Sequence, residues 1–105
     1  MISAGKGKYR VWLRKIRQGG DMILLLGGGK RPHIGAIVVS EKGKKTKVFV
    51  KKGHLDHKVT KTIAQKAAKK MNKTVVCVAG IHIDNATKED IKKLVKNCRE
   101  IEKKL

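Results

Sequence analysis

Apolar and polar positions alternate from Lys8 to Arg17, with Tyr9, Val11 and Leu13 on one side and Arg10, Trp12 and Arg14 on the other. A period of two places successive side chains on opposite faces of a strand. Gln18-Gly19-Gly20-Asp21 supplies turn residues, and Met22 to Leu26 reads as a second, wholly apolar strand. Beyond Gly27-Gly28-Gly29-Lys30-Arg31-Pro32 a third strand runs from His33 to Ser40. A fourth, Thr46 to Lys52, sets Val48 and Val50 against Lys47, Phe49 and Lys51. The period then lengthens. Val59, Ile63, Ala67 and Met71 recur every fourth residue with lysines between them, which predicts a helix from Asp56 to Met71, ended by Asn72. Thr74 to Ile81 is continuous and β-branched, the pattern of a buried strand. Thr87-Lys88-Glu89-Asp90 has the form of a capping box with Asp in the usual Glu or Gln position. Ile91, Leu94, Val95, Cys98, Ile101 and Leu105 form the stripe of a closing helix.

The order ββββαβα predicts one α+β domain over residues 1–105, with residues 1–6 a flexible lead-in. The expected core is an antiparallel sheet of about five strands with two helices on one face. Strands two and three are apolar on both sides, so the second face needs a cover as well. A homodimer interface containing Trp12, Ile23, Leu25, Ile37, Val39 and Phe49 would supply it. In an antiparallel meander, strands two and four finish at the same end, the first helix starts there, and the fifth strand finishes there. The glycine loop, Gly53-His54-Leu55-Asp56-His57 and Gly80-Ile81-His82-Ile83-Asp84-Asn85 then share one end of the molecule.

Charge narrows the class of partner. Lys and Arg number 27 against 8 Asp and Glu, a net charge of +19 in 105 residues. Such a balance favours nucleic acid, an acidic protein surface or a phosphorylated ligand. Arg10-Trp12-Arg14 and Lys47-Phe49-Lys51 suit a single-strand stacking platform, but two aromatics beside an aliphatic centre suit a dimer interface better. Cys77 and Cys98 are too few for a disulfide framework, and neither a secretory h-region nor a membrane-length apolar run is present. A cytoplasmic protein is expected.

The shared end is the expected binding site. Helix N-termini and glycine loops attract anions. The candidate ligand residues are Gly28, Gly29, Lys30, Arg31, His33, Gly35, Gly53, His54, His57, Gly80, His82, Asp84 and Asn85. His with Asp could move a proton near neutral pH, but no nucleophile motif accompanies them, so a non-catalytic role is favoured. Zinc-type spacings are absent as well, and no metal is assigned.

Three short motifs carry a family resemblance: Pro32-His33-Ile34-Gly35-Ala36, Gly53-His54 at the helix entrance, and Gly80-Ile81-His82-Ile83-Asp84-Asn85. With this order of elements the chain resembles the LpdD-like family, prenylated-flavin chaperone-like proteins grouped with proteasome-assembly-chaperone-like folds. The resemblance implies a compact homodimer that serves a UbiD-type decarboxylase using prenylated flavin mononucleotide. Its functional set would be His33, Gly35, Gly53, His54, Gly80, His82, Asp84 and Asn85. An assembly chaperone without a small ligand and a basic nucleic-acid-binding module are the alternatives.

Overall fold

A computed structural model describes residues 1–31, 33–51 and 57–105. Pro32, Gly53 and His54, which carry parts of the sequence motifs, lie outside the described residues, as does the predicted helix start at Asp56. The strands are β1 (Ile2–Ala4), β2 (Val11–Gln18), β3 (Asp21–Gly29), β4 (Ala36–Ser40), β5 (Lys47–Val50) and β6 (Val75–His82). The helices are α1 (His57–Met71) and α2 (Lys88–Lys103), and a short 3₁₀ turn spans Gly7–Tyr9. The expected α+β class and the layering of two helices against one sheet face are both present.

Strand pairing departs from a meander. The six-stranded sheet has the order β1-β2-β3-β6-β4-β5. Strand β6 lies between β3 and β4, parallel to the first and antiparallel to the second, so the sheet is mixed. The reason is burial: the continuous apolar run of β6 takes a central position, where both of its edges are paired. The connection from β3 to β4 must therefore cross two inter-strand spacings, about 10 Å, well within the reach of six residues. Ile2–Ala4, expected as lead-in, pairs with β2 through Ile2 opposite Leu13 and Ala4 opposite Val11.

One sheet face packs on the helices. Val11, Leu13, Leu24, Val38, Val75 and Cys77 are completely buried there, together with Ala64 and Ala67 of α1. Each large aliphatic side chain so buried contributes about 1.5–3 kcal/mol. Alanines on α1 let its backbone approach β4 and β6 closely. The last carbonyls of α2 and of the chain are tied to α1: Lys66 Nζ donates to the Glu102 carbonyl at 2.8 Å and Lys70 Nζ to that of Leu105. Cations at a helix C-terminus satisfy otherwise unpaired carbonyls and oppose the helix dipole.

Among the described residues no helix lies over the opposite face. Register places Trp12, Ile16, Ile23, Leu25, Val76, Val78, Ile37, Val39 and Phe49 together on this side. Ile16 is 42% exposed and Phe49 62%, while Ile23, Leu25, Ile37 and Val39 are half-buried by their neighbours within the sheet. All six candidate interface residues therefore share one face. Val76, Val78 and Ile16 extend it.

Candidate functional site at one end of the sheet

Strands β3, β5 and β6 all run toward the same end, because β6 is parallel to β3 and antiparallel to β4, which is antiparallel to β5. The convergence expected from a meander therefore survives the change in strand order. Lys30 and Arg31 on one side and residues 33–35 on the other lie over the end of β6. Lys30 N donates to the His82 carbonyl at 2.8 Å, Arg31 N to the same carbonyl at 3.3 Å, and Gly35 N to that of Ala79 at 2.7 Å. Lys51 N donates to the Gly35 carbonyl at 2.8 Å, joining the end of β5 to the arch.

Two glycines make this crossing sterically feasible. A β-carbon on Gly80 would collide with the His33 carbonyl, so only glycine lets the arch lie directly on β6. Gly29 has φ +74, and a β-carbon there would collide with the His82 carbonyl. Gly28 packs against the Arg10 carbonyl, and Gly29 N donates to that carbonyl at 3.2 Å. The amides of Gly29, Lys30, Arg31 and Gly35 are thus engaged with main-chain carbonyls. What this loop turns outward is side-chain chemistry.

Those side chains form a compact polar group. The His33 and His82 rings meet edge to face, with centroids 5.3 Å apart and planes at 73°. His82 Nε2 donates to Asp84 Oδ1 at 2.9 Å, and the Arg31 guanidinium bonds the same oxygen. The His82 hydrogen bond, followed by the Arg31 interaction, holds the Asp84 carboxyl below the usual carboxylate range, against an opposing desolvation effect. Lys30 and Arg31 are exposed, and the backbone amides of both bond the His82 carbonyl. Asn85 adopts φ 52, turning the chain from Asp84 toward α2, and its side chain is exposed. His57 begins α1, with Nδ1 buried and without a hydrogen-bond partner among the described residues.

The second helix end is occupied from within. Thr87 Oγ1 accepts from Asp90 N at 3.1 Å, and Asp90 Oδ2 accepts from Thr87 N at 3.0 Å, completing the capping box. Tyr9 OH donates to Asp90 Oδ1 at 2.6 Å, and Lys8 Nζ lies 3.8 Å from that oxygen. The Thr87 backbone bond first, then Tyr9, bring the Asp90 pKa down to about 2. A carboxylate of this chain therefore already sits at the α2 N-terminus. The sequence shows the box but gives no sign of Tyr9, which arrives from 81 residues away.

Cys77 and Cys98 are buried, and burial, with Cys98 adding to it, pushes the Cys77 thiol up to about 12. Such a thiol is inert as a nucleophile at neutral pH. Among the described residues, no three His, Cys, Asp or Glu side chains gather closely enough to hold a metal ion. No helix among them is long and apolar enough to cross a membrane.

Fold and site together define a small α+β domain with one uncovered apolar sheet face and a basic, histidine-containing group at one end of it. The chain belongs to the prenylated flavin chaperone LpdD-like family, whose family model matches residues 5–105. No individual curated protein matches it.

Proposed function

We propose that this chain is a non-catalytic accessory protein that holds a phosphate-bearing ligand of the prenylated-flavin type where Lys30, Arg31, His33, His82 and Asp84 meet. The observation that carries this reading is the convergence of the Arg31, His33, His82 and Asp84 side chains on one end of an uncovered apolar face, with exposed Lys30 next to Arg31 in the chain. The donor set fits the ligand chemically. A guanidinium has five N–H donors, and the named Asp84 bond engages one of them, so Arg31 and Lys30 together suit a phosphate. Trp12, whose ring lies over Gly27, borders the same apolar side and suits a planar ring system. Asp84 orients His82, and both histidines supply hydrogen bonds. A bound prenylated flavin would bring its own ring chemistry, while this chain would bind, orient and shield it for transfer to a UbiD-type decarboxylase in the cytoplasm. The working form in this reading is a homodimer closed over the uncovered sheet face.

Trp12 is the single tryptophan and provides the readout. Titration with flavin mononucleotide and with its prenylated form, at low salt, is expected to change its fluorescence saturably. His82→Ala or Arg31→Ala is expected to weaken binding about tenfold, the scale of one lost charge-assisted hydrogen bond. The melting curve is expected to stay unchanged. A flat titration with both ligands, or full affinity in both variants, contradicts the reading.

A further inference from the structure

Strand β5 ends the sheet order, and no described strand pairs with its outer side. It nevertheless carries three exposed hydrophobic residues in a row: Val48 is 40% exposed, Phe49 62% and Val50 37%. Natural edge strands usually avoid that composition, because unpaired backbone groups beside apolar side chains recruit other strands. The register identifies the groups that point outward. Lys51 donates to Gly35, which immediately precedes β4, and bonding alternates along an antiparallel pair, so Phe49 and Lys47 also direct their backbone bonds inward. The N–H and C=O groups of Val48 and Val50 therefore face away from the sheet.

Charge selects the occupant. Residues 41–51 contain five lysines and one acid, Glu41, whose carboxylate pairs with Lys44 at 3.2 Å. Lys47 and Lys51 flank Phe49 on its own face. A second copy added antiparallel about Phe49 would set Lys47 against Lys51, and like charges directly opposite destabilise a pair. An acidic strand meets no such repulsion.

The geometry points to β5 as a strand-addition site for an extended acidic segment of a partner protein. Apolar residues of that segment would pack beside Val48 and Val50, and Asp or Glu would alternate with them to face Lys47 and Lys51. The inference is independent of the flavin reading, because none of the five residues assigned to that ligand lies on β5.

The test uses the full chain and three labelled probes: a nine-residue peptide alternating valine with glutamate, the same peptide with lysine for glutamate, and poly(U). Fluorescence anisotropy is expected to rise with the glutamate peptide and not with the lysine peptide. Val48→Pro, which removes one outward N–H and leaves the β4 pairing donors in place, is expected to weaken glutamate-peptide binding at least tenfold. The double variant Lys47→Glu/Lys51→Glu keeps the backbone edge and is expected to exchange the two peptide preferences. Absence of glutamate-peptide binding overturns the proposal, as does equal binding by the double variant. Poly(U) binding that displaces the glutamate peptide and is unaffected by Val48→Pro assigns the lysines to nucleic acid and overturns it as well.

Discussion

Asp90 illustrates how one side chain takes on tasks that the sequence shows only in part. Its position three residues after Thr87 identifies a cap, but the structure adds the Tyr9 hydroxyl and Lys8. These bonds favour the ionised form, so the folded pKa of about 2 lies below the unfolded value of about 3.9. A group whose pKa falls on folding stabilises the fold above its unfolded pKa and loses that contribution as pH drops through the folded one. Wild type is therefore expected to lose melting temperature relative to Asp90→Asn between about pH 4 and pH 2, where the variant has no carboxylate at position 90 to protonate. Parallel melting curves for the two proteins across that window would remove Asp90 from the acid response. Gly80 is the opposite case. Its place in a distinctive motif invites a ligand role, whereas its small size is what lets the His33 carbonyl lie on β6.

At the level of elements, the hydrophobic pattern identified most strands and both helices, through alternation in β2 and β5, continuous apolar runs in β3 and β6, and helical spacing in α1 and α2. Pairing was less legible. Strands β3 and β4 are neighbours in sequence and both strongly apolar, which favours a hairpin, and no local feature of residues 30–35 distinguishes a hairpin loop from an arch over another strand. The clue lay in β6, since a run apolar on both faces is best placed centrally. Because the direction of each strand did not depend on that choice, Lys30, Arg31, His33, His82 and Asp84 were still assigned to one end. The uncovered face was also legible, from Ile23, Leu25, Ile37 and Val39 facing away from buried Leu24 and Val38. If that face closes a homodimer, sedimentation is expected to give twice the 11.7 kDa chain mass, and Leu25→Arg to give the monomer with its helical signal intact. A wild-type monomer at all concentrations would contradict the dimer.

For the whole molecule, cations are distributed over both helices, the turns and the strand ends, so net charge alone assigns no site. The polar group at the end of the sheet differs from the rest of this basic surface in three respects. It contains two imidazoles in edge-to-face contact, it carries a carboxylate shared between His82 and Arg31, and it adjoins the apolar face. Amide chemical-shift mapping by ¹⁵N–¹H correlation spectroscopy during titration with prenylated flavin mononucleotide tests its role most directly. The account predicts saturable shifts concentrated at Lys30–Gly35 and Gly80–Asn85, with weaker ones near Trp12. Shifts spread over the lysines of α1 and α2 and abolished by moderate salt, or no shifts at all, would contradict it.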